Sequence, residues 1–389
     1  MTGARDGAPV WITGIGMVTP LGVDRTETWE AMTQGRSGVH AVRAFDPSGL
    51  ESRIAGEVPE DFEARYRATC RVAYPGRQAR FTKFALLAAR QAMEDAGLAM
   101  AGEDPSRVGV AIGVGAGAFN YLLPVDEALL KQGGGIWPAL DHNYVVKYMA
   151  NAATAQLSIW VGAEGPSTTV SAACATGAQA IATAADWIHA GRADVVLAGA
   201  TDSTVNGFVM AEGAAVLVLE SAAHAERRGA TRYATLLGHA LTSEAYNVVR
   251  PRPGGAGMAK TMRLALQDAG LRAAQIDYIN AHGTSTQVND ASETAAIKAV
   301  FGDHAYGIPV SSQKSMIGHA VGATSAIQAG VTALTIRHGL LTPTINYEEP
   351  DPACDLDYVP NEARREEVHH ALSNAFGFGG HNCCLVFGR

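Results

Sequence analysis

The sequence predicts an α/β fold assembled from two similar halves, and three observations carry that prediction. Short apolar runs of strand length alternate along the chain with segments of helical periodicity. The same strand-helix-strand order appears on both sides of "RRGAT", Arg227–Thr231, where charge and glycine interrupt the pattern. A chain of 389 residues, 47% hydrophobic, also has ample apolar material for the core that such layers need. We therefore expect an N-terminal half over 1–229 and a C-terminal half over 230–389.

The elements follow in order. "VWITGIGMVTPLG" (10–22) reads as a buried strand ending in a glycine turn. A helix is expected over 81–96, with apolar residues at helical spacing and Gly97 as its stop. The strand "RVGVAIGVG" (107–115) leads into an irregular stretch through 120–143 and one helical segment over 143–162. "GPSTTVSAAC" reads as a short strand, with a long helix starting at Cys174. Strands at 193–201 and 208–220 close the first half. The second half offers strands at 233–243, 276–286 and 308–315, helices at 259–270, 290–301 and 320–339, and closing strands over 370–388. Parallel-rich sheets covered by helices are the expected result.

Composition excludes several classes. A formal net charge of −8 argues against a general nucleic-acid binder. Five cysteines, Cys70, Cys174, Cys354, Cys383 and Cys384, form no C-x-x-C, so a zinc site or disulfide framework is not expected. A reducing cytoplasm suits that pattern. "MTGARDGAP" has no apolar core of a secretory signal, and no uncharged apolar run is long enough to cross a bilayer. The glycine patterns "GIGMVTPLG" and "GVGAG" do not match the dinucleotide fingerprint.

Four polar clusters lie where strands run out into turns, the usual place for ligand chemistry in α/β sheets. In "VSAACATGAQA" Cys174 stands among small residues at a helix start, where the dipole and free amides favour a thiolate and the cysteine's own amide can serve an oxyanion. Taken alone, a packed structural thiol is the commoner case. In "NAHGTST" His282 precedes a hydroxyl shelf that includes Thr284 and Thr286; a capping turn explains the same residues equally well. In "SSQKSMIGHAVGA" Lys314 and His319 flank a glycine turn, and a lysine among small apolar residues needs a partner, for which Glu293 is the acidic candidate. In "SNAFGFGGHN" Phe376 and Phe378 alternate with glycines whose amides can approach a ligand; a glycine hairpin with core aromatics is the plainer reading.

Together these motifs, in this order, resemble the β-ketoacyl-[acyl carrier protein] synthases, the elongating ketosynthases of bacterial fatty-acid and type II polyketide systems. The similarity runs from "WITGIGMVTPLG" to "GFGGHNCCLVFG". It implies a thiolase-like fold, a duplicated five-layer αβαβα stack, usually dimeric. It further implies that Cys174 takes the acyl chain as a thioester and that His282 and His319 assist decarboxylation of a malonyl-carrier protein. The resemblance places the acyl oxygen between the amides of Cys174 and Phe378, and gives Lys314, paired with Glu293, the task of orienting and tuning the site. Thr284 and Thr286 would bind the phosphopantetheine arm, and Phe378, with Phe376 beside it, would border the acyl pocket. No metal and no tightly bound cofactor are implied; the substrates arrive on the acyl carrier protein. The partner subunit would be a second copy or a chain-length-factor-like chain.

Two departures accompany the resemblance. Between "VLAGATD" and "GFVMAEG" the family carries a few dozen more residues, where only Ser203–Asn206 stand here; Asn206 replaces an acidic residue and Ala211 a glycine. Because removing a pocket-lining segment from a packed core is costly, a segment missing from the sequence is the expected explanation. Arg77 and Arg80 lie where the family has a denser basic cluster for an acidic carrier, although solvated surface arginines are the plainer reading. Two other classes compete. A non-catalytic chain-length factor would have lost the nucleophile, and chalcone-synthase-like acyltransferases carry asparagine at the position of His319.

Overall fold

The computed structural model describes residues 9–72, 76–117, 143–203 and 209–389. Its principal elements are β1 (Val10–Val18), α1 (Arg80–Ala96), β2 (Val108–Gly113), α2 (Ala152–Val161), β3 (Ser167–Thr168), α3 (Thr176–His189), β4 (Val195–Ser203) and β5 (Glu212–Ser221). The second half supplies β6 (Ala234–Ser243), α4 (Ala256–Asp268), β7 (Tyr278–Asn280), α5 (Gln287–Phe301), β8 (Val310–Ser311), α6 (Val321–His338), β9 (His370–Gly377) and β10 (His381–Gly388).

Duplication is visible in the strand order. The first half runs β3-β2-β4-β5-β1 and the second β8-β7-β9-β10-β6, the same arrangement twice. In each half the first two pairings are parallel and the last two antiparallel. The sheets are therefore mixed rather than parallel-rich, because the last strand of each half returns directly alongside its predecessor instead of crossing over through a helix. β1 joins β6 through three residue pairs, Val10↔Leu236, Trp11↔Thr235 and Ile12↔Ala234.

Layering follows from which faces are apolar. α6 is buried all round from Gly322 to Ile336, as a helix between two sheets must be. It packs with α3 against both halves, contributing Ile327 and Ile181 to a central core shared with Ile15, Met17, Leu217, Ala371 and Leu385. Small residues let these two helices touch. A Cβ on Gly177 would lie 2.6 Å from the Ala326 amide nitrogen. An outer core forms beneath α1 around Phe81, Phe84 and Leu86, and another beneath α4 and α5 around Met262, Ile297 and Phe301. The result is five layers, helix-sheet-helix-sheet-helix.

Several boundaries differ from expectation. The helix after the cysteine begins at Thr176, and Cys174 sits in the preceding 3-10 turn, Ala173–Ala175. The helical segment over 143–162 breaks between Tyr144–Tyr148 and α2. The strand over 308–315 gives way at once to a helical turn, Lys314–Ile317. The irregular stretch through 120–143 falls, up to residue 142, outside the described residues. So does Asn206.

β4 and β5 pair without a break out to Ser203↔Glu212, so the expected missing segment concerns the residues between them, of which 204–208 lie outside the described residues.

Candidate active site

The two halves deliver different chemistry to one place. From the first comes Cys174, on a turn whose preceding residue, Ala173, has φ of +48°, a conformation costly for any residue with a side chain. Thr176 holds that turn, its hydroxyl accepting from the Ala172 amide at 2.8 Å and donating to the Ala173 carbonyl at 2.7 Å. From the second half come His282, just past β7, and His319, between the Lys314–Ile317 turn and α6.

Cys174 Sγ lies 3.0 Å from His319 Nε2. The His282 and His319 rings meet edge to face with centroids 5.9 Å apart, and Phe376 packs edge-on against His282 at the same separation. The other ring nitrogen of His319, Nδ1, is 3.2 Å from the Thr324 hydroxyl. With that hydroxyl donating, the proton of the neutral imidazole sits on Nε2 and faces the sulfur. His319 is also clamped through its backbone, donating to Val209 O at 2.9 Å and accepting from Ala211 N at 3.0 Å.

Burial sets the protonation states. It holds His319 down to about 3, with the Lys314 charge adding to the effect. His282 lies well below the ordinary histidine value through burial first, then the Lys314 charge and the neighbouring His319. Both imidazoles are thus neutral donors near pH 7. Burial also pushes the Cys174 thiol up, opposed by Lys314 and by the amides of Phe378 and Cys174. The helix-terminus effect expected from sequence does not dominate, since Cys174 is buried and the helix starts two residues later.

Lys314 and Glu293 do not pair. Glu293 accepts from the His282 and Gly283 amides, both at 2.9 Å, and from Asn374 Nδ2 at 3.1 Å. The Lys314 ammonium instead donates to the His282 carbonyl and, at 3.0 Å, to Gln328 Oε1. The two residues hold His282 from its two backbone sides. These bonds fix the backbone from which the His282 side chain projects.

The remaining candidates spread around this centre. Thr284 and Thr286 are half-buried with hydroxyls 3.0 Å apart, on a turn where Ser285 has φ of +59°. Phe376 is buried, while Phe378 is 47% exposed at the tip of the glycine loop. Gly377 lets that loop reach the cysteine turn, because a Cβ there would lie 2.8 Å from the Ala172 carbonyl. Arg80 is neither a solvated arginine nor a free docking residue. Its guanidinium is bound to the buried Glu212 through contacts of 2.8 and 2.5 Å and lies over the Phe84 ring at 4.9 Å.

Sequence reasoning passed over Asp202, Thr324, Gln328 and Asn374. Asp202 is fully buried and accepts from the amides of Gly115, Ala116, Gly117 and Gly322 at 2.8–3.1 Å, tying the end of β2 to the start of α6. Burial pushes its carboxyl up to about 6. A polar residue at the buried end of a strand was the available signal. The ligating atoms of Cys174, His282 and His319 also lie within 4.8 Å of one another, close enough to hold a cation. The Lys314 charge, felt by both histidines and by the sulfur, opposes a dication there.

Similarity to known proteins agrees with the geometry. The family model "Beta-ketoacyl synthase, N-terminal domain" matches residues 7–206, and "Beta-ketoacyl synthase, C-terminal domain" matches residues 233–348. The chain is 39% identical over 412 positions to a 3-oxoacyl-[acyl-carrier-protein] synthase 2 of Coxiella burnetii, covering 98% of each. That alignment is longer than the chain, so the relative holds residues that this chain lacks. It is 39% identical to the tetracenomycin polyketide synthase ketoacyl synthase alpha subunit of Streptomyces glaucescens, covering 98% of this chain and 97% of that one. Among solved structures, the ishigamide ketosynthase/chain length factor superposes with a TM-score of 0.92 at 32% identity. A type II acyl-carrier protein complexed with its ketosynthase superposes with a TM-score of 0.88 at 33% identity, each covering 98% of this chain and 99% of the other. A duplicated thiolase-like fold, a cysteine in contact with one of two neutral imidazoles, and matches to both family domains lead to one conclusion: the chain belongs to the β-ketoacyl synthase family.

Proposed function

We propose that the protein catalyses decarboxylative Claisen condensation of an acyl thioester on Cys174 with malonyl-acyl carrier protein, giving a 3-oxoacyl-acyl carrier protein in fatty-acid or type II polyketide elongation. The observation that carries this reading is the 3.0 Å contact between Cys174 Sγ and His319 Nε2, with His282 edge-on beside it.

Acyl loading comes first. The Cys174 sulfur attacks the carrier-bound thioester carbonyl, whose oxygen gathers charge between the amides of Cys174 and Phe378. The new S–C bond forms as the bond to the carrier's thiol breaks, and that thiol leaves with the proton Cys174 gave up. Malonyl-carrier protein then enters along Thr284 and Thr286. Loss of CO2 leaves its electron pair on the α-carbon as an enolate, whose oxygen takes hydrogen bonds from His282 and His319. Because both imidazoles are neutral, they donate hydrogen bonds without protonating the enolate, which keeps it nucleophilic. The carbanion attacks the acyl carbonyl on Cys174, the C–C bond forms, and the sulfur departs with its electron pair. This cycle consumes no redox equivalent and calls for no bound cofactor.

We further propose that the protein works as a dimer beside an acyl carrier protein in the cytoplasm. Its partner is a second copy or a chain-length-factor-like subunit; the similarity to the ishigamide ketosynthase/chain length factor supports the second arrangement. Among the described residues no helix is long and apolar enough to cross a membrane. Incubation with a ladder of acyl-carrier proteins and intact-mass detection tests the chemistry. The wild type is expected to gain one acyl group and Cys174→Ala none, with its circular dichroism unchanged. An acylated alanine variant would refute the assignment.

A further inference from the structure

We propose that Gln328 is a positioning residue that keeps Lys314 an uncompensated cation, so that the lysine's charge serves the Cys174 thiolate. The inference rests on Cys174 being the reacting nucleophile, and it adds a residue that the sequence motifs do not single out.

The amide of Gln328 has only one orientation available. Its Nε2 donates to Ala281 O at 2.7 Å and to Asn280 Oδ1 at 2.9 Å. A backbone carbonyl can only accept, so the nitrogen must be on that side. Asn280 is oriented in turn, because its Nδ2 donates to Gln328 O at 3.2 Å and to Thr332 Oγ1 at 3.1 Å. Gln328 therefore presents its carbonyl oxygen, and nothing else, to the Lys314 ammonium at 3.0 Å.

Both heavy-atom acceptors of the ammonium are thus neutral carbonyls, Gln328 Oε1 and the backbone oxygen of His282. Glu293 is near enough to act on Lys314 through space, but its oxygens are committed to two backbone amides and Asn374. Asp290 acts on it only at a distance in the same way. The lysine's charge also acts on Cys174 and on the two imidazoles, and Asp202 acts on the sulfur in the opposite sense. A buried ammonium without a contacting carboxylate is costly to keep charged, and burial brings Lys314 down to about 8. That cost is offset when the sulfur is ionised. A carboxylate in place of the Gln328 amide would satisfy the lysine on the spot and cancel much of its field at the sulfur.

The test is the pH profile of Cys174 alkylation by iodoacetamide, read on the Cys174 peptide by mass spectrometry in the full-length protein. No acyl or carrier substrate is involved, so failure of the condensation reading and failure of this inference are distinguishable. Gln328→Glu is expected to move the midpoint up by about one unit, roughly a tenfold slower reaction at neutral pH. Gln328→Met, which removes one of the ammonium's two acceptors but adds no charge, is expected to raise it by clearly less. A Gln328→Glu profile that overlays the wild type would overturn the proposal, as would an equal upward shift in Gln328→Met. Should Gln328→Glu fail to fold, Lys314→Met probes the same field without a new charge. Its midpoint should also rise, and a wild-type midpoint would overturn the proposal.

Discussion

Replacing Glu293 by glutamine tests whether its carboxylate holds the His282 turn. Three donors meet it: the His282 amide and Asn374 Nδ2 on Oε1, and the Gly283 amide on Oε2. A glutamine whose oxygen takes the Oε1 position keeps two of these bonds and turns an NH2 group against the Gly283 N–H. Losing one charge-assisted bond and leaving a buried donor unpaired costs about 2–4 kcal/mol. Part is returned, since burial pushes the Glu293 carboxyl above its ordinary value and glutamine removes that charge. A net loss of about 2 kcal/mol is expected, against about 4 kcal/mol for Glu293→Ala, which strands all three donors. Urea unfolding at fixed protomer concentration measures the stability, and single-turnover assays separate acyl loading from condensation. Loading should survive in the glutamine variant while condensation slows, because His282 is displaced and Cys174 is not. A glutamine variant as stable as the wild type, condensing at the wild-type rate, would refute this account of the turn.

Three further outcomes are expected. Asp202→Asn sets an NH2 group against a nest of four amides and should cost about 2–4 kcal/mol, measured by urea unfolding. Histidines with depressed folded-state pKa values bind more protons when unfolded, so stability should fall as pH drops from 6.5 toward 4; Asp202, pushed up to about 6, acts in the opposite sense over part of that window. Glu293, also pushed up by burial, opposes the histidines in the same way as Asp202, so the loss is smaller than the two histidines alone would give; His319→Gln should reduce it further, and a stability flat from pH 7 to 4 would contradict the burial argument. Gly377→Ala should slow acyl loading about tenfold to a hundredfold, because its Cβ would lie 2.8 Å from the Ala172 carbonyl and push the glycine loop, with the Phe378 amide, away from the cysteine turn; unchanged single-turnover loading would remove that amide from the mechanism.

The parts legible in the sequence were those whose chemistry is local. Cys174, His282, Lys314 and His319 each stand in a short glycine- or hydroxyl-rich stretch at a strand end, and duplication was readable because both halves repeat one order of periodicities. What was not legible depends on contacts across the fold. Gln328 lies 14 residues beyond Lys314 in a helix of small residues, where it reads as one more core position. Charge alone makes Glu293 the expected partner of Lys314, whereas its oxygens accept from the His282 and Gly283 amides instead. The helix start shifted from Cys174 to Thr176 because Ala173 takes a left-handed conformation that no residue pattern announces. Asp202 was missed for the same kind of reason, since its four donors come from two distant segments.

The ladder between β1 and β6 has only three rungs, so the two sheets are held at their angle chiefly by the helices sandwiched between them. Sulfur and imidazoles ride on opposite jaws of a calliper whose gap is set by the alanines and glycines of that middle layer. One added methyl group at Gly177, 2.6 Å from the Ala326 amide nitrogen, would open the jaws, and the tolerance of the chemistry is a fraction of an ångström. The conspicuously plain composition of α3 and α6 is then a machining constraint, and turnover is sensitive to residues that never meet a substrate.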